Sequence, residues 1–386
     1  MKIIVLGGGG AMGMVTVRDL AESSIVSEVV IGEANLELAE KVAEWTHSKK
    51  VTTRKVDITN PRSLAEAISN VDAIANAAPF HLNLHVTKAA IKAGIPQTDL
   101  GGVYHMTLEQ LKLDREAHQA GTTIVLGSGL APGVADVLAK CGAEKLERVD
   151  EVHIRYGEVN FEPVKYKWSF RTVLAEYTQG PIIYMKGELK QLQPFSGKHT
   201  FAFPPPIDRR SCCYALYSGL ATLPKTIGKG VETIDCAMSY SEEDERRINV
   251  LDELGLTHRK PIRLGNVEIS PREFLLRCVP PPDINVKDAV GVTVEVVGEE
   301  GGSKKKYSYS LVYEYHEKYC VSALAYLTGM PMSIVVQMLG KGDIVEGGVL
   351  PPELGIKPKP LFDELTKRGV RIIETTESTS TLAQRS

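Results

Sequence analysis

The first thirty-three residues constrain this chain more than any other stretch. Met1 to Leu6 reads MKIIVL, a short apolar run of the kind that forms a buried strand. Gly7, Gly8, Gly9 and Gly10 follow, then Ala11, Met12 and Gly13. VTVRDLAES, from Val15 to Ser23, places its apolar residues at helical spacing. A second apolar run, Val26 to Ile31, closes on Gly32 and Glu33. The order is strand, glycine turn, helix, strand, acid. Gly8, Gly10 and Gly13 fit G-x-G-x-x-G; Gly7, Gly9 and Gly13 fit the looser G-x-G-x-x-x-G, and the spacing leaves both open.

Each part of that order has a physical task. A tight reversal needs a residue without a Cβ, close approach of backbone to a pyrophosphate needs a second, and packing of helix on strand needs a third. The helix start then offers free N–H groups and the positive end of its dipole to phosphate. Gly8, Gly10, Ala11, Met12 and Gly13 are the expected phosphate contacts. Glu33 ends the second strand, where a carboxylate accepts both hydroxyls of an adenosine ribose and repels a 2′-phosphate. The expected cofactor is therefore NAD in preference to NADP.

The alternation continues to residue 130. Helical stretches at Leu36 to Thr46, Pro61 to Ala67, Leu84 to Lys92 and Leu108 to Gln119 separate strand-like runs at Val51 to Val56, Val71 to Asn76, Gln97 to Leu100 and Thr122 to Leu126. This predicts a doubly wound parallel sheet, a Rossmann domain over 1–130, with ligands at the carboxyl ends of its strands. Asp57 and Ile58 are expected beside the adenine. Asn76, Ala77, Ala78 and Pro79 are expected beside the nicotinamide ribose. After Arg148 the character changes. Residues 150–159 and the pair Val292–Val296 and Tyr307–Tyr313 alternate as long strands, with GEEGGSKKK as a hairpin tip. The region 131–319 reads as an α+β substrate domain with a mixed or antiparallel sheet. Phe201 to Ile207 reads as a turn region without regular structure. Gly329-Met330-Pro331 is expected to break or kink the helix over Tyr319 to Leu339, since proline lacks the donor a helix interior needs. Residues 320–353 are expected to complete the first domain. Residues 354–386 are expected to form a tail with one helix, its last ten residues frayed.

Composition narrows the partners. A net charge of −3 argues against nucleic acid or an anionic membrane. No apolar run approaches the roughly 20 residues that span a bilayer, and the fold begins too early for a signal peptide. Six cysteines without C-x-x-C spacing are expected to be reduced thiols in a cytoplasmic protein. His81 and His85 share a helix face, but no third ligand is evident, so no metal is expected.

Several segments together resemble the saccharopine dehydrogenase superfamily, most nearly its lysine 6-dehydrogenase branch. They are the glycine turn, VDITNP at 56–61, NAAPF at 76–80, GIPQTDLGG at 94–102, GLAPGVADVLA at 129–139, WSFRTVLAEYTQGPIIYMKGE at 168–188, LATLPKT at 220–226 and AYLTGMPMSIVVQMLGKGDIVEGGVLPPE at 325–353. The resemblance implies an NAD(P)-dependent oxidoreductase acting on a CH–NH bond of an amino acid or amine. Removal of the lysine side-chain amine is the first reaction it implies. Alternatives are saccharopine formation or cleavage and the reductive condensation that forms carboxynorspermidine. A homodimer through the second domain is implied too. Tyr217 stands where many relatives carry a histidine, which leaves room for a nucleotide-binding sensor without turnover.

Amine oxidation requires a neutral amine, so a base beside the nicotinamide is expected. Asp99, after the fifth strand, is the first candidate, with Tyr217 a second. Gly133, at a helix start, offers an N–H to a substrate carboxylate. Arg171 offers a bidentate clamp for the same group, and Trp168 an apolar wall. Glu176 and Tyr177 match the family's E-Y pair and read as structural, with Tyr177 retained as a substrate contact.

Overall fold

The computed structural model describes residues 1–163 and 166–379. In chain order the first part comprises β1 (Lys2–Leu6), α1 (Ala11–Glu22), β2 (Glu28–Glu33), α2 (Leu36–Thr46), β3 (Val51–Lys55), α3 (Pro61–Ile68), β4 (Ala73–Asn76), α4 (Asn83–Ala93), β5 (Gln97–Asp99), α5 (Tyr104–Leu111), α6 (Asp114–Gln119) and β6 (Thr123–Val125). The helix starts follow from local chemistry. The Asn35 side chain accepts from Glu37 N–H to cap α2, and Asn60 caps α3 with Pro61 in the first turn. Gly94 ends α4 at φ 69°, a left-handed position suited to glycine.

The second part begins with α7 (Val134–Lys145) and β7 (Arg148–Asn160), then α8 (Phe170–Thr178), β8 (Ile182–Met185), β9 (Glu188–Gln191), β10 (His199–Ala202) and β11 (Arg209–Tyr214). There follow α9 (Leu223–Ile227), β12 (Thr233–Ser239), α10 (Glu242–Glu253), the small hairpin β13 (Ile262–Leu264) and β14 (Val267–Ile269), and α11 (Pro271–Cys278). The chain finishes with β15 (Asp288–Glu300), β16 (Ser303–Glu314), α12 (Ala323–Lys341), β17 (Gly348–Leu350), α13 (Pro352–Gly355), α14 (Pro358–Lys367) and β18 (Ile373–Thr379).

Two large sheets result. The first is parallel, in the order β17-β6-β5-β4-β1-β2-β3, with the reversal of direction beside β1. Its strands are continuous apolar runs because both faces are covered. The second is mixed, running β10-β11-β12-β7-β15-β16-β18, with β8 and β9 attached at β12. Only β12 and β7 pair in parallel there. One hydrophobic core joins the two: Val15 and Leu20 of α1, Val290 and Val294 of β15, and Leu327 and Val335 of α12 belong to the same buried cluster.

Four expectations change. Residues 354–379 are not a tail: Leu361 and Leu365 of α14 are buried, and β18 pairs antiparallel with β16. Of the ten terminal residues expected to fray, 377–379 lie in β18 and the rest lie outside the described residues. The 201–207 stretch begins inside β10, which pairs with β11. Gly329-Met330-Pro331 does not split the helix. α12 runs unbroken for 19 residues through Pro331 because it is wedged between neighbours, with 16 of its side chains buried. That helix is also long and apolar enough to cross a bilayer, contrary to the expectation of no such run, but 89% of its apolar window is buried inside the protein.

Candidate active site

A single cleft of about 960 Å³ runs from the glycine turn to the wall of the second sheet. Its first half is built by strand ends. Gly7 leaves β1 at φ 73°, and a Cβ there would lie 2.7 Å from Ala78 N. Gly7 N–H donates to Gly32 O and Gly10 N–H to Gly7 O, which folds the turn back on itself. Gly10 caps α1 without supplying a side-chain acceptor, so the first N–H groups of α1 stay available to an anion. A Cβ on Gly13 would overlap the Gly7 carbonyl oxygen. The turn therefore uses Gly7, Gly10 and Gly13 for reversal, cap and helix packing.

This sorts the sequence candidates. Gly10, Ala11, Met12, Glu33, Asp57, Ile58, Ala77, Ala78 and Pro79 line the cleft, and so does Gly7. Gly8 and Gly13 do not. Gly8 is buried against Ile31 and Val17, and Gly13 against Gly7, so both act through packing. Asn76 is fully buried: its Nδ2 donates to Asn83 Oδ1 and its Oδ1 accepts from Ala78 N–H, which shapes the 77–79 loop from behind. The Glu33 carboxylate accepts from Gly9 N–H (3.2 Å) and Ala34 N–H (3.0 Å) at the mouth of the turn. Asp57 accepts from Thr59 through hydroxyl and amide, which holds its carboxyl below the usual range. An acceptor-free helix start facing a ribose-height carboxylate fits a dinucleotide.

The second half of the cleft overturns three expectations. Asp99 is not in it. It is fully buried, and its carboxylate accepts from Gly101 N–H, Gly127 N–H and Gln110 Nε2. Asp99 is thus a clamp joining two loops beneath the floor. Gly133 also stays out. Its φ of 124° and its N–H donation to Asp136 Oδ2 (2.6 Å) make it the turn before α7, while Gly129 to Pro132 face the cleft. Tyr177 turns away and packs its ring on Phe195, 5.1 Å between centroids. Trp168 and Arg171 do line the cleft, but Arg171 is already held in a bidentate pair by Glu273 at 2.7 and 2.8 Å. Its use as a free carboxylate clamp would require that pair to open.

Tyr217 reaches the cleft wall, with its hydroxyl buried and unpartnered beside Asp136. Burial pushes the Asp136 carboxyl up to about 8, and the nearby Glu353 adds to the rise. Burial raises Glu353 as well; its Oε1 accepts from Thr226 Oγ1 at 2.8 Å. These three groups form one buried acidic cluster behind the wall. Among the described residues no group of three or more His, Cys, Asp or Glu is placed to hold a metal. His81 faces the cleft singly, its pKa lowered by burial and by Arg171.

Glu176 was read as structural, and the cleft shows more. It stands in the wall on α8, and its Oε2 is buried without a partner. The signal lay in spacing: Trp168, Thr172 and Glu176 recur every four residues, one face of a helix. Behind it the buried Lys167 ammonium is shared between Asp288 (2.8 Å) and Glu158 (3.0 Å), so that cation is already engaged.

Residues 3–125 match the saccharopine dehydrogenase NADP binding domain, and residues 129–370 match the saccharopine dehydrogenase C-terminal domain. The chain is 23% identical to a carboxynorspermidine synthase of Vibrio cholerae over 412 aligned residues, covering 96% of each protein. It is 22% identical to a carboxyaminopropylagmatine dehydrogenase of Synechocystis, again over 96% of both. The fold superposes on the apo L-Glu-forming saccharopine dehydrogenase of Saccharomyces cerevisiae with a TM-score of 0.74 at 18% identity, over 97% of this chain and 99% of that one.

Proposed function

The chain belongs to the saccharopine dehydrogenase family and is an NAD(P)-linked oxidoreductase acting on CH–NH groups; from that premise we propose that it joins an amine to the semialdehyde of an amino acid, giving a secondary amine. The carrying observation is the continuous cleft, which leads from the acceptor-free start of α1 to a wall holding Tyr156, Trp168 and Glu176. Aromatic faces and an unpaired acid suit a cationic amine chain. Two relatives similar along almost their whole length carry the names of carboxylated polyamine products. Cut at its secondary amine, such a product leaves an amine and an amino-acid semialdehyde. This replaces lysine 6-dehydrogenation as the preferred reaction, since those relatives carry other names.

Bound in the first half of the cleft, the dinucleotide supplies the hydride. The chain's own part is to align and to exclude water. The α1 start and Glu33 fix one end of the cofactor, and the loop 77–79 positions the other. Glu33 favours NAD, although the matching domain is described as NADP binding. Tyr217, at the wall, is the group available to hydrogen-bond the reacting nitrogen or the departing oxygen. The sensor reading required a cleft without acid or base groups, and Glu176, His81 and Tyr217 stand in this one.

The test is oxidation of NADH or NADPH in the presence of an amino-acid semialdehyde and a small amine, with mass spectrometry of the joined product. A product equal to the two reactants less water plus two hydrogens supports the reading. Reduction of NAD by lysine, with no joining of any pair, would return it to lysine oxidation.

A further inference from the structure

Among the acids of the cleft wall, Glu176 stands apart. Glu33 and Asp57 spend their oxygens on backbone and side-chain donors. Glu176 accepts no hydrogen bond at all among the described residues, and its Oε2 is buried. A buried carboxyl without a donor is costly unless something else completes it. No cation nearby is free to do so. Lys167 is committed to Glu158 and Asp288, and Arg171 to Glu273. The titratable groups that face Glu176 are Glu158 and Tyr156 on β7, Cys213 on β11, Cys236 on β12, and Tyr177 on its own helix. None is a cation. Tyr156 and Trp168, both in the same wall, bring aromatic surface to the same space.

We propose that Glu176 anchors a second cationic end of the amine substrate, so that the preferred amine is a diamine or a guanidino-amine, not a monoamine. The inference rests on the reading of the cleft as the site of secondary-amine formation. It adds which amines enter and which residue selects them. Anchoring one cationic end leaves the other amine free to lie toward the nicotinamide half of the cleft. Burial, then the charge of Glu158, pushes the empty Glu176 carboxyl up to about 8. Capture of a cation therefore ionises it and releases a proton. Affinity for the diamine should rise as pH passes upward through about 8.

The experiment compares diaminopropane with propylamine, paired with the same semialdehyde, in the wild-type protein and in Glu176→Gln. Glutamine matches the neutral form of the empty site, so the variant should fold. The wild type should prefer the diamine in kcat/KM by about tenfold or more, the worth of one charge-assisted contact. The variant should lose that preference through the KM of the diamine, with the KM of NAD(P)H unchanged and the rise in diamine affinity with pH abolished. Equal use of both amines by the wild type, or an unchanged ratio in the variant, overturns the anchor and leaves the proposed reaction standing. Calorimetry of diaminopropane against the dinucleotide-loaded protein gives a readout independent of turnover. Binding by the wild type and not by the variant supports the anchor even if no semialdehyde reacts. Equal binding, or none by either, rejects it.

Discussion

The Glu33 carboxylate sits where β2 ends, held by the amides of Gly9 and Ala34, with its outer face on the cleft. Removing it takes acceptors from a ribose and repulsion from a 2′-phosphate. Glu33→Ala should move the ratio of NAD to NADP affinity by about tenfold toward NADP, measured by fluorescence titration of the reduced forms. An unmoved ratio would take Glu33 off the ribose. A different behaviour is expected of Asp136, whose carboxyl is raised to about 8 by burial and by Glu353. A carboxyl raised on folding holds a proton that the unfolded chain gives up near pH 4. Its stabilising contribution is complete below that pH and is lost as pH rises toward 8. Asp136→Asn removes that loss and keeps an acceptor for Gly133 N–H. Its melting temperature should exceed that of the wild type at pH 9 by at least about 2 °C, with a smaller gap at pH 5. Identical melting curves at both pH values would show that the pair carries no shared proton. At this scale the sequence was half legible. Glu33 could be placed because its partners are local in chain order. Asp99 and Glu176 could not, because one meets Gly127 and Gln110 from distant segments and the other meets none.

Elements were legible where burial is periodic. The β15–β16 hairpin follows from Val292, Val294 and Val296 alternating against Tyr307, Tyr309 and Leu311, all buried. The strand β18 was missed because every one of its side chains is exposed and its sequence carries no alternation. The helix α12 was misread because proline and glycine inside a pattern argue for a break, and only packing on both flanks overrides them. Gly329 marks the closest of these contacts. A Cβ there would overlap the Met12 carbonyl oxygen of α1, and the Gly329 carbonyl accepts from Thr16 Oγ1 at 2.8 Å. Gly329→Ala should push α12 off α1 and cost about 1–3 kcal/mol by denaturant unfolding. Because α1 carries the phosphate turn, dinucleotide affinity should fall with it. Stability lost with affinity unchanged would mean that α1 does not transmit the shift to its own start.

The whole molecule is tied together by a chain that crosses twice. After building the second sheet it returns through α12 to add β17 to the first, then crosses back to lay β18 along β16. Arg368, just past α14, closes this path by donating to Asp19 of α1 at 2.8 Å. The cleft exists only because these returns hold one sheet's strand ends against the other's wall. The last strand has a separate task. Since β18 buries no side chain, its value is to occupy the edge of β16. Ending the chain after Ile372 should leave the melting temperature within about 2 °C, yet cause concentration-dependent association in light scattering. A large drop in melting temperature without association would assign β18 to the core.

What the sequence by itself determined is the strand–turn–helix–strand unit at the start, the class of cofactor it accepts and the alternation of the second sheet's central hairpin. All of these depend on contacts between near neighbours or on a period of two or about 3.6 residues. Which carboxylate faces the cleft was decided only by the tertiary structure. Facing depends on what other segments place opposite a side chain: three donors from elsewhere closed around Asp99, and none closed around Glu176.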